Sequence, residues 1–305
     1  MLDAGADCDP IAMTPAQRLR ALLNAHPLLV LPCCFDALSA RLIEGAGFHA
    51  TFMSGFAVSA ARLALPDPGL ISFGEMLDQG RDICRATSLP VIGDGDTGYG
   101  NAMNVKRTVR EYARAGFAAV MIEDQVAPKR CGHTAGKSVV DRDEAALRIR
   151  AACDARDEGA DILILARTDA RATHNLAEAI ARARAFAAEG ADLLFVEAPC
   201  SEDEMAAICR EAPGRHLANM LEGGQSPLLP PERLQALGFA VAAYPLTLLS
   251  AAVSAMRASL AELAAGRNPR DGQVAFADLR RILGFDAYDV EAARYSPRES
   301  EVVVK

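Results

Sequence analysis

Val91-Ile92-Gly93-Asp94-Gly95-Asp96-Thr97-Gly98-Tyr99-Gly100-Asn101 joins an apolar run to a glycine-rich turn that carries two carboxylates one residue apart. A charge at the mouth of a strand is costly as packing and useful as a hard-oxygen ligand, so the turn reads as built for a cation. Gly93, Gly95 and Gly98 also satisfy G-x-G-x-x-G, the pattern of a dinucleotide-binding turn. Asp94 and Asp96 would aim negative charge at a pyrophosphate, and the nucleotide reading is rejected on that ground. A solvated Asp- and Gly-rich turn is the plain alternative, to be weighed against the rest of the chain.

Just beyond the turn, Asn104 to Ala115 places Val105, Val109 and Tyr112 at helical spacing among Arg and Lys, and Gly116 closes the helix. The same strand, loop and amphipathic helix recur on both sides. Apolar runs fall at Leu28–Pro32, Ala50–Met53, Pro90–Ile92, Ala118–Ile122, Ile162–Leu165, Leu193–Val196, Leu217–Met220 and Ala240–Ala243. Helices are expected over Asp143–Asp157 and Leu176–Glu189. Eight βα units predict a (β/α)8 TIM barrel, with an open doubly wound sheet as the alternative, because alternation alone does not show closure. No composition break divides the chain, so residues 1–305 read as one barrel domain with a C-terminal helical extension over about 246–305. The tail repeats Phe276, Leu279, Ile282, Leu283 and Phe285, an apolar face that needs a surface to cover, on a neighbouring subunit or on its own barrel.

Composition narrows the chemistry. A net charge of −8 argues against nucleic acid and against an acidic membrane surface, since phosphate binding needs clustered Lys and Arg. The eight cysteines include no C-x-x-C pair, which fits a reduced, cytoplasmic setting. Met1 to Pro10 has three Asp and no basic or long apolar region, and is not read as a signal peptide. No run approaches the roughly 20 apolar residues of a membrane span.

In such a barrel, function collects where the strands end. The first polar residues after the runs are Phe35-Asp36, Ser54-Gly55, Asp94 with Asp96, Glu123-Asp124, Arg167-Thr168-Asp169, Glu197, Asn219 with Glu222, and Tyr244-Pro245-Leu246-Thr247. Capping or loop roles suit Asp124, Asp169 and Thr247 taken singly. The ensemble is different, because so many carboxylates on one rim repel each other unless a cation sits among them. Asp94, Asp96 and Glu123 offer oxygen without a His or Cys set, which favours Mg²⁺ or Mn²⁺ over Zn²⁺. Such an ion takes substrate oxygens as further ligands, so a small anionic carboxylate substrate is implied. Arg167 is placed to pair with a substrate carboxylate, or alternatively with Glu197 internally, and Ser54 with the Gly55 amide to hold a second oxygen group.

The loop after the fourth run reads Lys129-Arg130-Cys131-Gly132-His133. Cationic neighbours favour the Cys131 thiolate below the roughly 8.5 of a free thiol, so this residue suits proton transfer near neutral pH. A zinc site at Cys131 and His133 fails for want of partners at ligand spacing.

Phe35-Asp36-Ala37-Leu38-Ser39-Ala40, Leu65-Pro66-Asp67, Asp94-Gly95-Asp96-Thr97-Gly98, Lys129-Arg130-Cys131-Gly132-His133, Ala166-Arg167-Thr168-Asp169-Ala170 and Asn219-Met220-Leu221-Glu222-Gly223-Gly224 together resemble the isocitrate lyase and phosphoenolpyruvate mutase superfamily over about residues 15–265. The resemblance is nearest to its methylisocitrate lyase, 2,3-dimethylmalate lyase and petal-death-protein (oxaloacetate hydrolase) branch. It implies a (β/α)8 barrel, Mg²⁺ held partly through water by Asp94, Asp96 and Glu123, and a homotetramer, a dimer of dimers with exchanged C-terminal helices. It implies substrate contacts from Phe35, Ser54, Gly55, Asp67, Gly132, His133, Asn219, Glu222 and Pro245. Catalytic roles fall to Arg167, Glu197 and Cys131, the last as proton donor to the enolate left by C–C cleavage. The expected activity is a Mg²⁺-dependent carbon–carbon lyase that splits a 2-hydroxy di- or tricarboxylate of the 2,3-dimethylmalate or 2-methylisocitrate type into a 2-oxo acid and a second carboxylate. Oxaloacetate hydrolysis or decarboxylation, and a carboxyphosphonoenolpyruvate-type phosphonomutase reaction, are the alternatives. Pro245 stands where a Ser is expected in dedicated oxaloacetate hydrolases, which favours a substituted malate. A non-catalytic carboxylate-binding barrel is the reading from another class; a reactive Cys on a glycine-flanked loop argues against it.

Overall fold

Strands that are covered on both faces need apolar residues on both, and the eight apolar runs become eight parallel strands. The computed structural model describes residues 13–130, 136–269 and 272–295. Its strands are β1 (Leu29–Cys34), β2 (Thr51–Met53), β3 (Val91–Asp94), β4 (Ala119–Glu123), β5 (Leu163–Thr168), β6 (Leu193–Val196), β7 (His216–Asn219) and β8 (Phe239–Tyr244). They pair in chain order, and β8 closes on β1 with Leu29 opposite Val241 and Pro32 opposite Tyr244. Closure settles the barrel against the open sheet.

Alternation along each strand sorts side chains into two layers. Ala119 and Met121 of β4, Leu163 and Leu165 of β5, and Leu193 and Phe195 of β6 fill the lumen together with Leu31, Phe52, Ile92 and Leu217. Leu19 and Leu23, on the helix Pro15–Ala25, join that same cluster and so stop one end of the lumen. The intervening residues Val120, Ile122, Ile164, Ala166 and Leu194 face outward and pack with Tyr112, Phe117, Ile149 and Phe186.

The outer helices start and stop where their ends supply backbone partners. Asn101 caps Ala102–Ala115 by accepting from the amides of Met103 and Asn104, and Gly116, at φ +101°, ends it in the left-handed conformation that suits glycine. Asp141 caps Arg142–Asp157 and Asn175 caps Leu176–Ala188 in the same manner.

Contacts divide the chain into two compact units, residues 1–250 and 251–305. The first holds the barrel. In the second, helices Phe276–Leu283 and Phe285–Ala293 meet at Gly284, and helix Thr247–Ala264 crosses the division. None of these three helices buries a residue, and Met256, Leu260, Leu263 and Phe276 are exposed. Among the described residues no helix is long and apolar enough to cross a membrane. The described cysteines, Cys33, Cys34, Cys84, Cys153, Cys200 and Cys209, are free thiols, and burial pushes Cys34 up to about 12.

Candidate active site

The period of two that buries Met121, Leu165, Phe195 and Leu217 in the lumen carries on past the apolar part of each strand. Two residues further on stand Glu123, Arg167, Glu197 and Asn219, and the same count places Asp94 after Ile92 and Ser54 after Phe52. All six line one cavity at the carboxyl ends of the strands, together with Asp67, Lys129 and Pro245. A charged layer therefore sits directly on an apolar one.

The Asp94 turn is stitched in place by backbone. Gly95 donates to Met121 O at 2.9 Å and Glu123 N donates to Asp96 O at 2.9 Å, so the turn rides on β4. Tyr112 Oη, fully buried, donates to Asp94 O at 2.7 Å. Asp94 Oδ2 accepts from the Gly55 amide at 3.2 Å and Oδ1 from the Asp96 amide at 3.0 Å. Asp96 takes φ +48°, an unusual backbone for a residue with a side chain, and backbone strain of this kind gathers at functional sites.

Lys129 enters this acidic group from the loop after β4. Its Nζ is 2.5 Å from Asp67 Oδ2 and 2.9 Å from Asp96 Oδ1, the second a charge contact outside hydrogen-bond geometry. Burial alone would lower the Lys129 ammonium, but Asp96, Asp94 and Asp67 outweigh it and hold the group well above the usual lysine range. Burial, reinforced by the neighbouring Asp96, pushes Asp94 up to about 6. Glu123 is raised well above the carboxylate range, first by burial, against the pull of Arg167.

Arg167 is shared among carboxylates on three sides. Its Nε and Nη2 donate to Asp169 Oδ2 and Oδ1 at 2.9 and 3.1 Å, Nη2 lies 3.1 Å from Glu197 Oε2, and Nε lies 3.3 Å from Glu123 Oε2. The internal pair with Glu197 thus forms, and the bidentate partner is Asp169. Asn219 Nδ2 donates to both oxygens of Glu197 at 3.4 and 3.3 Å.

A divalent cation fits these residues. Asp67, Asp94, Asp96 and Glu123 surround Lys129, Arg167 reaches only Glu123 among them, and Asp96 Oδ1 and Glu123 Oε1 are buried without a hydrogen bond. Hard anionic oxygens in excess of their donors are what Mg²⁺ requires. Among the described residues no three acidic, His or Cys side chains converge as a direct ligand set.

Of the residues expected at the site, Ser54, Asp67, Asp94, Glu123, Arg167, Glu197, Asn219 and Pro245 are brought to one cavity, with Gly55 and Asp96 against its acidic end. Phe35 is half-buried against the outer layer, its amide donating to Ser39 Oγ, and does not join the cavity wall. Glu222 is exposed and accepts from Thr247 Oγ1 at 2.5 Å, so it too stands apart. Cys131, Gly132 and His133 lie outside the described residues.

Asp169 and Asp124 are more than loop caps. Asp169 precedes the short helix Ala170–Thr173 without capping it, and its side chain serves Arg167 and Lys137 instead. Asp124 accepts from Thr168 Oγ1, the Asp169 amide and Arg182 Nη1. The sequence signal for Asp169 was its spacing: it lies two residues after Arg167, on the same parity. Lys129 drew notice only as a neighbour of Cys131, and nothing local told that it would reach Asp67, 62 residues away.

Residues 19–264 match the phosphoenolpyruvate phosphomutase family. The 2,3-dimethylmalate lyase of Eubacterium barkeri is 45% identical over 244 residues, covering 80% of this chain and 84% of the relative. A crystal structure of 2,3-dimethylmalate lyase superposes with a TM-score of 0.88 at 37% identity, covering 96% of this chain and 99% of that one. Oxaloacetate acetylhydrolase bound to 3,3-difluorooxalacetate gives a TM-score of 0.88 at 36% identity, covering 93% and 98%. On the strength of this family match and of these relatives, which share the closed eight-stranded barrel, this chain belongs to the PEP mutase/isocitrate lyase superfamily.

Proposed function

We propose that the chain is a Mg²⁺-dependent carbon–carbon lyase that cleaves an alkyl-substituted 2-hydroxy dicarboxylate, 2,3-dimethylmalate first among them, into a 2-oxo acid and a second carboxylate. The observation that carries this reading is one cavity whose wall combines charged and apolar side chains. Asp94, Glu123, Lys129 and Arg167 supply the charge, and Phe56, Leu217, Leu221, Pro245 and Leu246 supply apolar surface. A malate with methyl substituents suits both. A tricarboxylate such as 2-methylisocitrate would need a further cation, and Arg130 is the other basic residue on the wall.

Asp94, Asp96 and Glu123 are the residues that would hold Mg²⁺, partly through water. When bound, the ion supplies Lewis-acid polarisation of the substrate's 2-oxygen and offsets the charge that develops there. The protein's own groups do the rest. Ser54 and the Gly55 segment bound the cavity beside Asp94, and Arg167 Nη1, which makes no hydrogen bond among the described residues, is the donor left for a carboxylate. A wall carboxylate accepts the hydroxyl proton, the C2–C3 bond breaks, and its electron pair passes to C3, stabilised as an enolate by the adjacent carboxylate. Cys131 gives a proton to C3 and completes the second product. From 2,3-dimethylmalate these products are pyruvate and propionate, and their appearance by proton NMR tests the reading.

Oxaloacetate hydrolysis is the second reading, favoured by the likeness to oxaloacetate acetylhydrolase. Its products, oxalate and acetate, are distinct in the same experiment. We place the enzyme in the cytoplasm as a homotetramer. The exposed series Val253, Met256, Leu260 and Leu263 at helical spacing, and an apolar groove on the barrel flank lined by Leu42, Phe48 and Leu248, support helix exchange between subunits.

A further inference from the structure

Arg167 has more acidic partners than it needs. Glu123, at the end of β4, and Glu197, just past β6, both face it and line the cavity, and either would draw its guanidinium out of place. Asp169 takes two of its nitrogens in a forked pair and fixes the plane of the group, while Phe195 supports it from one side with its ring centre 5.2 Å from Cζ. The consequence is that Nη1 is the guanidinium nitrogen that makes no hydrogen bond among the described residues.

Asp169 is itself held on every side. It is fully buried, Lys137 Nζ donates to its Oδ1 at 2.7 Å, and its amide donates to Asp124 Oδ1 at 2.9 Å. Asp124 is held in turn by Thr168 Oγ1 at 2.6 Å and Arg182 Nη1 at 3.1 Å. Lys137 does more than fill space: a buried carboxylate with one cation shared among three acids is poorly compensated, and the Lys137 ammonium gives Asp169 a second cationic donor beside the Arg167 fork. Neither Asp169 nor Lys137 lines the cavity that Arg167 enters.

We propose that Asp169 and Lys137 form a buried ion pair that positions Arg167, fixing which guanidinium nitrogen meets the substrate carboxylate without touching substrate themselves. The inference rests on the lyase reading only in requiring Arg167 to meet a carboxylate ligand.

The test uses the full-length protein and four variants: Asp169→Asn, Lys137→Met, Lys137→Arg and the Asp169→Asn/Lys137→Met double. Two readouts are taken with Mg²⁺ present, the Kd of oxalate by calorimetry and kcat/KM for 2,3-dimethylmalate. Displacing a charge-stabilising group by about 1 Å costs on the order of 10²-fold in rate, so Asp169→Asn and Lys137→Met should each lose about that in kcat/KM and bind oxalate about tenfold more weakly. Lys137→Arg keeps the charge and should stay within about fivefold of wild type. The double variant should be no worse than Asp169→Asn alone, because Lys137 acts through Asp169.

Wild-type affinity and rate in Lys137→Met would overturn the inference, as would a Lys137→Arg variant as impaired as Lys137→Met, which would mean packing and not charge. If Asp169→Asn does not fold, the contrast between the two Lys137 variants decides alone. Wild-type protein that neither binds oxalate nor turns over any 2-hydroxy acid overturns the functional reading and this inference with it. Oxalate binding with normal variant effects and no turnover overturns only the choice of reaction.

Discussion

Gly55 and Asp94 approach so closely that a methyl group on the Gly55 α-carbon would lie 2.5 Å from Asp94 Oδ2, while the Gly55 amide donates to that same oxygen at 3.2 Å. Gly55 is therefore required by space and not by backbone conformation. Gly55→Ala must push the Asp94 carboxylate aside. Overpacking of this kind costs about 1–3 kcal/mol, and a displaced acid of the cation group should weaken Mg²⁺ binding by roughly 10- to 100-fold. Titration calorimetry with Mg²⁺ checks it; unchanged affinity would remove Asp94 from the cation site.

Lys129 balances charge at the same end of the cavity. It sits 6% exposed among Asp67, Asp94, Asp96 and Glu123, and Lys129→Met removes the ammonium those carboxylates share. Removing one partner of a buried pair costs about 3 kcal/mol or more, so the variant should melt well below wild type in chelator. Added Mg²⁺ should recover more stability in Lys129→Met than in wild type, since a cation that binds only the folded state stabilises it by mass action. Melting curves with and without Mg²⁺ read this directly. Equal Mg²⁺ gains in the two proteins would show that lysine and metal do not share the acids.

The barrel was legible because a parallel strand covered on both faces is a continuous apolar run, and each of the eight runs became a strand. The ends were less legible. The runs Pro90–Ile92, Ala118–Ile122 and Ile162–Leu165 stop short of β3, β4 and β5, which continue to Asp94, Glu123 and Thr168. Hydrogen-bond pairing extends past the point where side chains turn from core into cavity, and hydrophobicity reports only the core. The acids Asp94, Asp96 and Glu123 were found because they are dense in sequence near strand ends. Lys137 was invisible as a partner of Asp169 because the contact spans 32 residues and two loops, and no local pattern encodes it. Phe35 and Glu222 were expected at the site from their places after the first and seventh runs and from the resemblance, and neither joins the cavity wall here.

His216, at the start of β7, gives a pH prediction independent of the site. It is buried, its Nε2 donates to Ala212 O at 2.8 Å, and Nδ1 has no partner, the arrangement of a neutral ring. Burial lowers its pKa below the ordinary 6.5. The unfolded chain then binds a proton more readily than the folded one, so this contribution to stability is complete above pH 6.5 and declines as pH falls through that value toward the folded pKa. Wild type should lose more thermal stability between pH 7 and pH 5 than His216→Gln. An equal loss in both would assign the acid sensitivity elsewhere.

The central claim is that this cavity breaks a carbon–carbon bond in a 2-hydroxy dicarboxylate. Proton NMR of the purified protein with Mg²⁺ and 2,3-dimethylmalate is the most direct test. The account predicts stoichiometric pyruvate and propionate, abolished by chelator and by Cys131→Ser. An unchanged 2,3-dimethylmalate spectrum, beside oxalate and acetate formed from oxaloacetate, would contradict it.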